Sequence, residues 1–153
     1  LGSLRAFDLT YDLLLHPNHL TYAVEAVKQF PEQKFVLDHI AKPLIKDGTL
    51  VPWDEDIREL AKCENVYCKV SGMVTEASWK QWKAVDFKPY LDIVFDCFGP
   101  DRLMFGSDWP VSTLSASYNQ VHSIVWDYIQ LYPAQVQEKF LGMNAAKFYG
   151  VNN

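Results

Sequence analysis

The chain has 153 residues, enough for one ordinary domain, and its 49% hydrophobic and 14% aromatic content is ample for a packed core. A net charge of −5 with no basic run argues against nucleic acid and against an anionic membrane surface as partners. No stretch approaches the roughly 20 apolar residues of a membrane span, and Leu1-Gly2-Ser3-Leu4-Arg5 does not read as a signal peptide, so a cytoplasmic protein is expected.

In chain order, the first strand is expected within Phe7 to Leu15, running into His16-Pro17-Asn18-His19. Pro17 and Asn18 open a helix over Leu20 to Phe30, where Leu20, Ala23, Val24 and Val27 keep helical spacing and Pro31 is the stop. Lys34 to Leu37 is a second short apolar strand that ends at Asp38-His39. After a loop with Gly48 and two prolines, a helix is expected from Trp53 to Cys63, with Ile57, Leu60 and Ala61 inward. Asn65 to Val70 reads as the third strand, ending at Ser71-Gly72, and aromatic-rich helical segments follow from Ser78 to Phe98. Leu103-Met104-Phe105, with Gly99-Pro100 before it and Gly106 and Pro110 after it, is too short for a helix and reads as a strand buried on both faces. Helices over Ser117 to Tyr132 and Ala134 to Tyr149 close the chain, the second begun after Pro133 and stopped by Gly150.

Four strands alternating with helices mean a parallel α/β sheet with helical crossovers. In such sheets the carboxyl ends of the strands carry the chemistry, and here they carry His16, His39, Lys69 with Ser71, and Asp108. Two imidazoles and a carboxylate suit a divalent metal such as Zn²⁺, with Asp108 placed to act as general base towards a water. Each has a plainer alternative: Asp108 as a turn or cap residue, His16 as turn chemistry, His39 as a satisfied strand-end histidine, Trp109 as a core residue rather than a pocket wall. Lys42 and Lys69 are candidates for an anionic group of the substrate, and a charged Lys69 inside a strand is costly to bury unpaired. His19 and His122 read as structural. Cys63, Cys68 and Cys97 are an odd set in apolar surroundings, expected as reduced packing residues, with a C-x4-C metal pair as the alternative. No P-loop, G-x-G-x-x-G or G-x-S-x-G is present, which counts against a nucleotide-binding fold and a nucleophile-elbow hydrolase.

Three ordered segments, Val36-Leu37-Asp38-His39-Ile40-Ala41-Lys42-Pro43, Cys68-Lys69-Val70-Ser71-Gly72 and Arg102 through Val111, resemble the amidohydrolase superfamily. Within it they are similar to the branch of metal-dependent TIM-barrel hydrolases that includes sugar-lactonases and 2-pyrone-4,6-dicarboxylate lactonase, and Asn144-Ala145-Ala146 with Phe148-Tyr149 resembles that branch's closing helix. The resemblance implies a (β/α)₈ barrel, with His39 in place of the strand-six histidine, Asp108 in place of the strand-eight aspartate and His16 in place of the strand-five histidine. It implies a divalent metal, zinc above all, although lactone-hydrolysing members differ in needing one. The family's H-x-H pair is absent from these residues, so the resemblance implies a single domain, 1–153, that is the second half of the barrel, about strands five to eight. Half a barrel leaves two sheet edges unpaired, so the missing half or a homo-oligomer is expected as partner. The expected function is hydrolysis of a small cyclic ester with Asp108 activating water, His39 binding metal or polarising the carbonyl, and Lys42, Lys69, Ser71 and Trp109 holding the substrate. A decarboxylase of the same superfamily and a non-catalytic remnant are the alternatives.

Overall fold

A computed structural model describes residues 1–151. Four strands form one sheet: β1 (Tyr11–Leu13), β2 (Phe35–Leu37), β3 (Val66–Val70) and β4 (Leu103–Phe105). The order in space is the order in sequence, and every pairing is parallel, with Leu13 beside Leu37, Leu37 beside Cys68, and Val70 beside Phe105. A sheet whose strand order never reverses receives all its right-handed crossovers on one face, which distinguishes it from a doubly wound sheet. These are four units of a (β/α)₈ barrel, half its number of strands.

The crossover helices are α1 (Leu20–Lys28), α2 (Trp53–Ala61) and α4 (Ala84–Phe98), with α5 (Tyr118–Ile129) following β4. Between β3 and α4 lies the single turn α3 (Met73–Glu76). The outward residues Phe35, Leu37, Val66, Cys68, Val70 and Leu103 meet the inward stripes of the helices, such as Val27, Ile57, Leu60, Val94 and Val125, in one continuous core. Each such Leu, Val, Ile or Phe removed from water contributes about 1.5–3 kcal/mol.

The other face carries Asp12, Val36, Tyr67, Lys69 and Met104, as the alternation and the register require. Part of it is closed by the last helix, α7 (Asn144–Tyr149), whose Phe148 packs on Tyr67 with ring centroids 4.8 Å apart and joins Val36 and Met104 in a second small cluster.

Several boundaries differ from expectation. The first strand keeps only Tyr11–Leu13 of the expected nine residues, because β2, its neighbour in the sheet, is itself three residues long; Arg5–Phe7 is a 3₁₀ turn instead. Phe7, Leu9, Tyr11 and Leu14 remain exposed around that edge. The helix expected from Ser78 begins at Ala84, since Ser78 to Lys83 form turns in which the Trp79 indole N–H donates to the Thr75 carbonyl at 2.8 Å. The closing helix is three pieces: α6 (Ala134–Glu138), a π turn (Lys139–Met143) and α7. The π turn rotates Asn144 inward, where its amide donates to the Pro100 and Leu103 carbonyls at 2.8 and 2.7 Å and fastens α7 under β4. The cysteines are free; burial pushes the Cys97 thiol up to about 11 and the Cys68 thiol well above its ordinary value, so both stay protonated packing residues.

Among the described residues no helix is long and apolar enough to cross a membrane.

Candidate active site

All four strands end at the same rim, and the loop after β2 is the most unusual part of it. From His39 to Lys42 four consecutive non-glycine residues have left-handed backbone, with φ of 53°, 46°, 60° and 49°. Such residues each cost of order 1–2 kcal/mol, so the surroundings must hold them. Ile40 and Ala41 are fully buried, and the Trp53 indole donates to the Ile40 carbonyl at 2.8 Å. The result is to turn the His39 ring inward across the rim.

His39 meets two groups there. Its Nδ1 is 2.8 Å from Ser71 Oγ, at the end of β3. Its Nε2 is 3.7 Å from Asp108 Oδ1, which follows β4. The side chains of His39 and Asp108 are 20% and 13% exposed, so the pair is largely sheltered yet open to a small molecule. Two glycines make this approach possible. A Cβ on Gly72 would lie 2.8 Å from His39 Cβ, and one on Gly106 would lie 3.0 Å from Ser71 Cβ. Asp108 itself has a left-handed backbone, φ 55°, a conformation that Asp adopts more readily than most residues, and its carbonyl accepts from the Ser112 N–H at 2.8 Å.

The expected site residues thus divide. His39, Ser71 and Asp108 come together at one rim. Ser71, expected at the substrate, is only 3% exposed, and its hydroxyl is engaged with His39. Lys69, expected to bind an anionic group, points into the sheet's inner face, where its ammonium lies 2.6 Å from Asp12 and 2.8 Å from Asp38. Trp109 is 69% exposed, a rim residue and not a core one. His16 is exposed in the turn after β1, its ring 6.1 Å from that of His19.

A further residue, Glu76 at the end of α3, was not anticipated. It is half-buried, and burial pushes its carboxyl above the usual carboxylate range; Lys42, His16 and His39 counter the rise in part, and Asp108 adds to it. Because α3 follows Ser71 and Gly72 at the end of β3, Glu76 stands in a loop of that rim. No sequence motif marks it, because a Glu in a one-turn helix looks like any surface carboxylate. A raised value means that the folded state holds the Glu76 proton more tightly than the unfolded chain, so stability falls as pH rises through that interval. Glu76→Gln should therefore remove this downward contribution, so that its thermal midpoint gains on that of the wild type as pH rises from 4 to 7 and is at least equal to it at pH 7; an unchanged pH dependence would show that Glu76 is not desolvated.

Imidazole nitrogen and carboxylate oxygen are donors that zinc accepts, so His39 and Asp108 fit a divalent ion in kind. In number they do not complete a site: among the described residues no group of three or more His, Cys, Asp or Glu side chains is arranged to hold a metal, and His16 does not join the other two in one. What the pair offers by itself is a carboxylate able to take a proton and an imidazole beside it, oriented through its other nitrogen.

Known proteins resemble this chain along nearly its whole length. The profile of the family described as Amidohydrolase matches residues 1–151. The chain is 39% identical over 159 residues to L-fucono-1,5-lactonase of Burkholderia multivorans, across 97% of this chain and 53% of that protein. It superimposes with a TM-score of 0.93 and 38% identity on a crystal structure of an amidohydrolase from Burkholderia multivorans with bound zinc, over 99% of this chain and 56% of that one. A probable 2-pyrone-4,6-dicarboxylic acid hydrolase from Acinetobacter baumannii, 18% identical with a TM-score of 0.80 over 98% of this chain and 55% of that one, shares the fold. The chain spans about half the length of the curated relatives it matches.

Proposed function

The chain belongs to the amidohydrolase family, and from that premise we infer that the complete protein hydrolyses a small lactone, a cyclic ester of a sugar acid, with Asp108 as the general base. The observation that carries this reading is the His39–Asp108 pair, 3.7 Å apart at the strand-end rim, in a chain 39% identical to an L-fucono-1,5-lactonase. In the reaction a water oxygen bonds to the ester carbonyl carbon, and Asp108 accepts the proton that the water gives up. The carbonyl π electrons move onto oxygen, and the His39 imidazole faces that developing charge. Collapse of the tetrahedral intermediate breaks the bond between the carbonyl carbon and the ring oxygen. The ring oxygen then takes the proton from Asp108, which leaves an open-chain hydroxy acid and a carboxylate ready for the next turnover.

Lys42 and Trp109 are assigned to the substrate, the first for its negative or polar groups and the second as a wall of the pocket. Ser71 is assigned to His39, which it orients through Nδ1. A divalent ion held in part by His39 and Asp108 would, when bound, polarise the carbonyl and acidify the attacking water.

Lactone opening at neutral pH releases one proton per turnover, so the test is proton release by the full-length protein on a panel of five- and six-membered sugar-acid lactones, with and without added Zn²⁺. A pyrone dicarboxylate and a carboxylated phenol belong in the same panel. Turnover of sugar lactones at least tenfold above the other two supports the reading; loss of CO₂ from the phenol with no lactone opening replaces it with decarboxylation.

A further inference from the structure

Among the described residues Lys69 is the one lysine on the sheet's inner face, and its surroundings are built around it. It projects from the middle of the sheet on β3, and its ammonium reaches Asp12 on β1 at 2.6 Å and Asp38, just past the end of β2, at 2.8 Å. The Tyr149 ring from α7 lies beneath it, 5.5 Å from the ammonium to the ring centroid, and the Tyr149 hydroxyl is 3.3 Å from Asp12. Its side chain is 22% exposed, and one ammonium thus draws together β1, the end of β2 and the closing helix.

The position of one of these partners gives the arrangement a consequence. Asp38 immediately precedes His39, the first of the four left-handed residues. A single peptide bond separates Asp38 from the turn that aims the His39 ring. Fixing the Asp38 carboxylate to the inner face therefore constrains the direction in which the chain leaves β2, and with it the entry of His39 towards Ser71 and Asp108. An apolar pair at 38 and 69 would fill the same space without the cost of bringing charges out of water, so the ion pair is not explained by packing alone. We propose that Lys69 is a positioning residue: acting through Asp38, it holds the His39 ring in register with Ser71 and Asp108, and it does not touch the substrate. Burial works against the charged ammonium, and the carboxylates of Asp12 and Asp38 outweigh it, so Lys69 holds its proton more firmly than a free lysine and the clamp stays charged at neutral pH.

The proposal rests on the role given to His39 above, and the test separates the two. Three variants of the full-length protein are compared: Asp38→Asn, Lys69→Met and, as a control on the same ammonium, Asp12→Asn. Asp38→Asn and Lys69→Met should each lower kcat by about 10- to 100-fold with KM changed by no more than about twofold, the pattern for loss of a group that orients a catalytic side chain. Both should shift the His39 ring resonances in the NMR spectrum, and Asp12→Asn should disturb rate and resonances much less. A raised KM at unchanged kcat would make Lys69 a substrate contact and overturn the proposal. So would a lowered thermal midpoint with normal turnover per folded molecule and unmoved His39 resonances, or an Asp12→Asn variant as damaged as Asp38→Asn. The His39 resonances are readable without any turnover, so failure of the wild type to open lactones removes the functional reading while the spectrum still decides this one.

Discussion

Asp108→Asn should lower lactone turnover by roughly 10²- to 10⁴-fold while leaving the fold in place. The substitution is well matched to the site. Asn keeps the shape of the side chain and tolerates the left-handed backbone at φ 55° nearly as well as Asp, so the loop from Gly106 to Ser112 has no reason to rearrange. What it removes is the proton-accepting carboxylate oxygen that lies 3.7 Å from His39 Nε2. A base works only when ionised, so the acidic limb of the activity profile should also disappear or move in the variant. If Asp108 served the turn alone, the outcome would be the opposite: a lower thermal midpoint, normal turnover per folded molecule and an unchanged acidic limb. Measuring rate and thermal midpoint on the same preparation separates these results, and near-normal turnover takes Asp108 out of the mechanism.

How much of this was legible in the sequence follows from which interactions are local. The second and fourth strands could be read from their apolar runs because a strand buried on both faces leaves a short block such as Leu103-Met104-Phe105, and the polar residues after each strand mark the rim. The meeting of His39 with Asp108 followed from that alone, since parallel strands deliver their ends to one side. The partners of Lys69 and Ser71 were not legible. Lys69 pairs with residues 57 and 31 positions away and Ser71 with one 32 away, and a sequence shows a lysine in a strand without showing that β1 and the turn after β2 each bring a carboxylate to it. The same holds for the run of left-handed residues at His39 to Lys42: none of the four is a glycine, so no residue type announces the turn. The π turn in the closing segment escaped for a related reason. Its residues favour helix locally, and only the two carbonyls waiting at Pro100 and Leu103 explain why Asn144 is rotated inward.

Gly72 is where this geometry should break most sharply. Gly72 and Gly48 both have φ of +64°, so replacing either with alanine carries the same left-handed backbone penalty. Around Gly48 nothing lies within 4 Å of the added methyl, and Gly48→Ala should therefore lose only that penalty, about 1–2 kcal/mol. At Gly72 the methyl would fall 2.8 Å from both Cβ and Cγ of His39. These are the inner atoms of the side chain, and they cannot move without moving the ring or the backbone of the strained loop. Overlap of that kind adds roughly 1–3 kcal/mol, so Gly72→Ala should be destabilised by about 2–5 kcal/mol in total. The relief available is to swing His39 away from Ser71 and Asp108, and turnover per folded molecule should fall with it, whereas Gly48→Ala keeps its rate. Equal losses of stability in the two variants, or a Gly72→Ala protein with full turnover, would mean that the close approach of His39 to the β3 loop matters neither to the fold nor to the reaction.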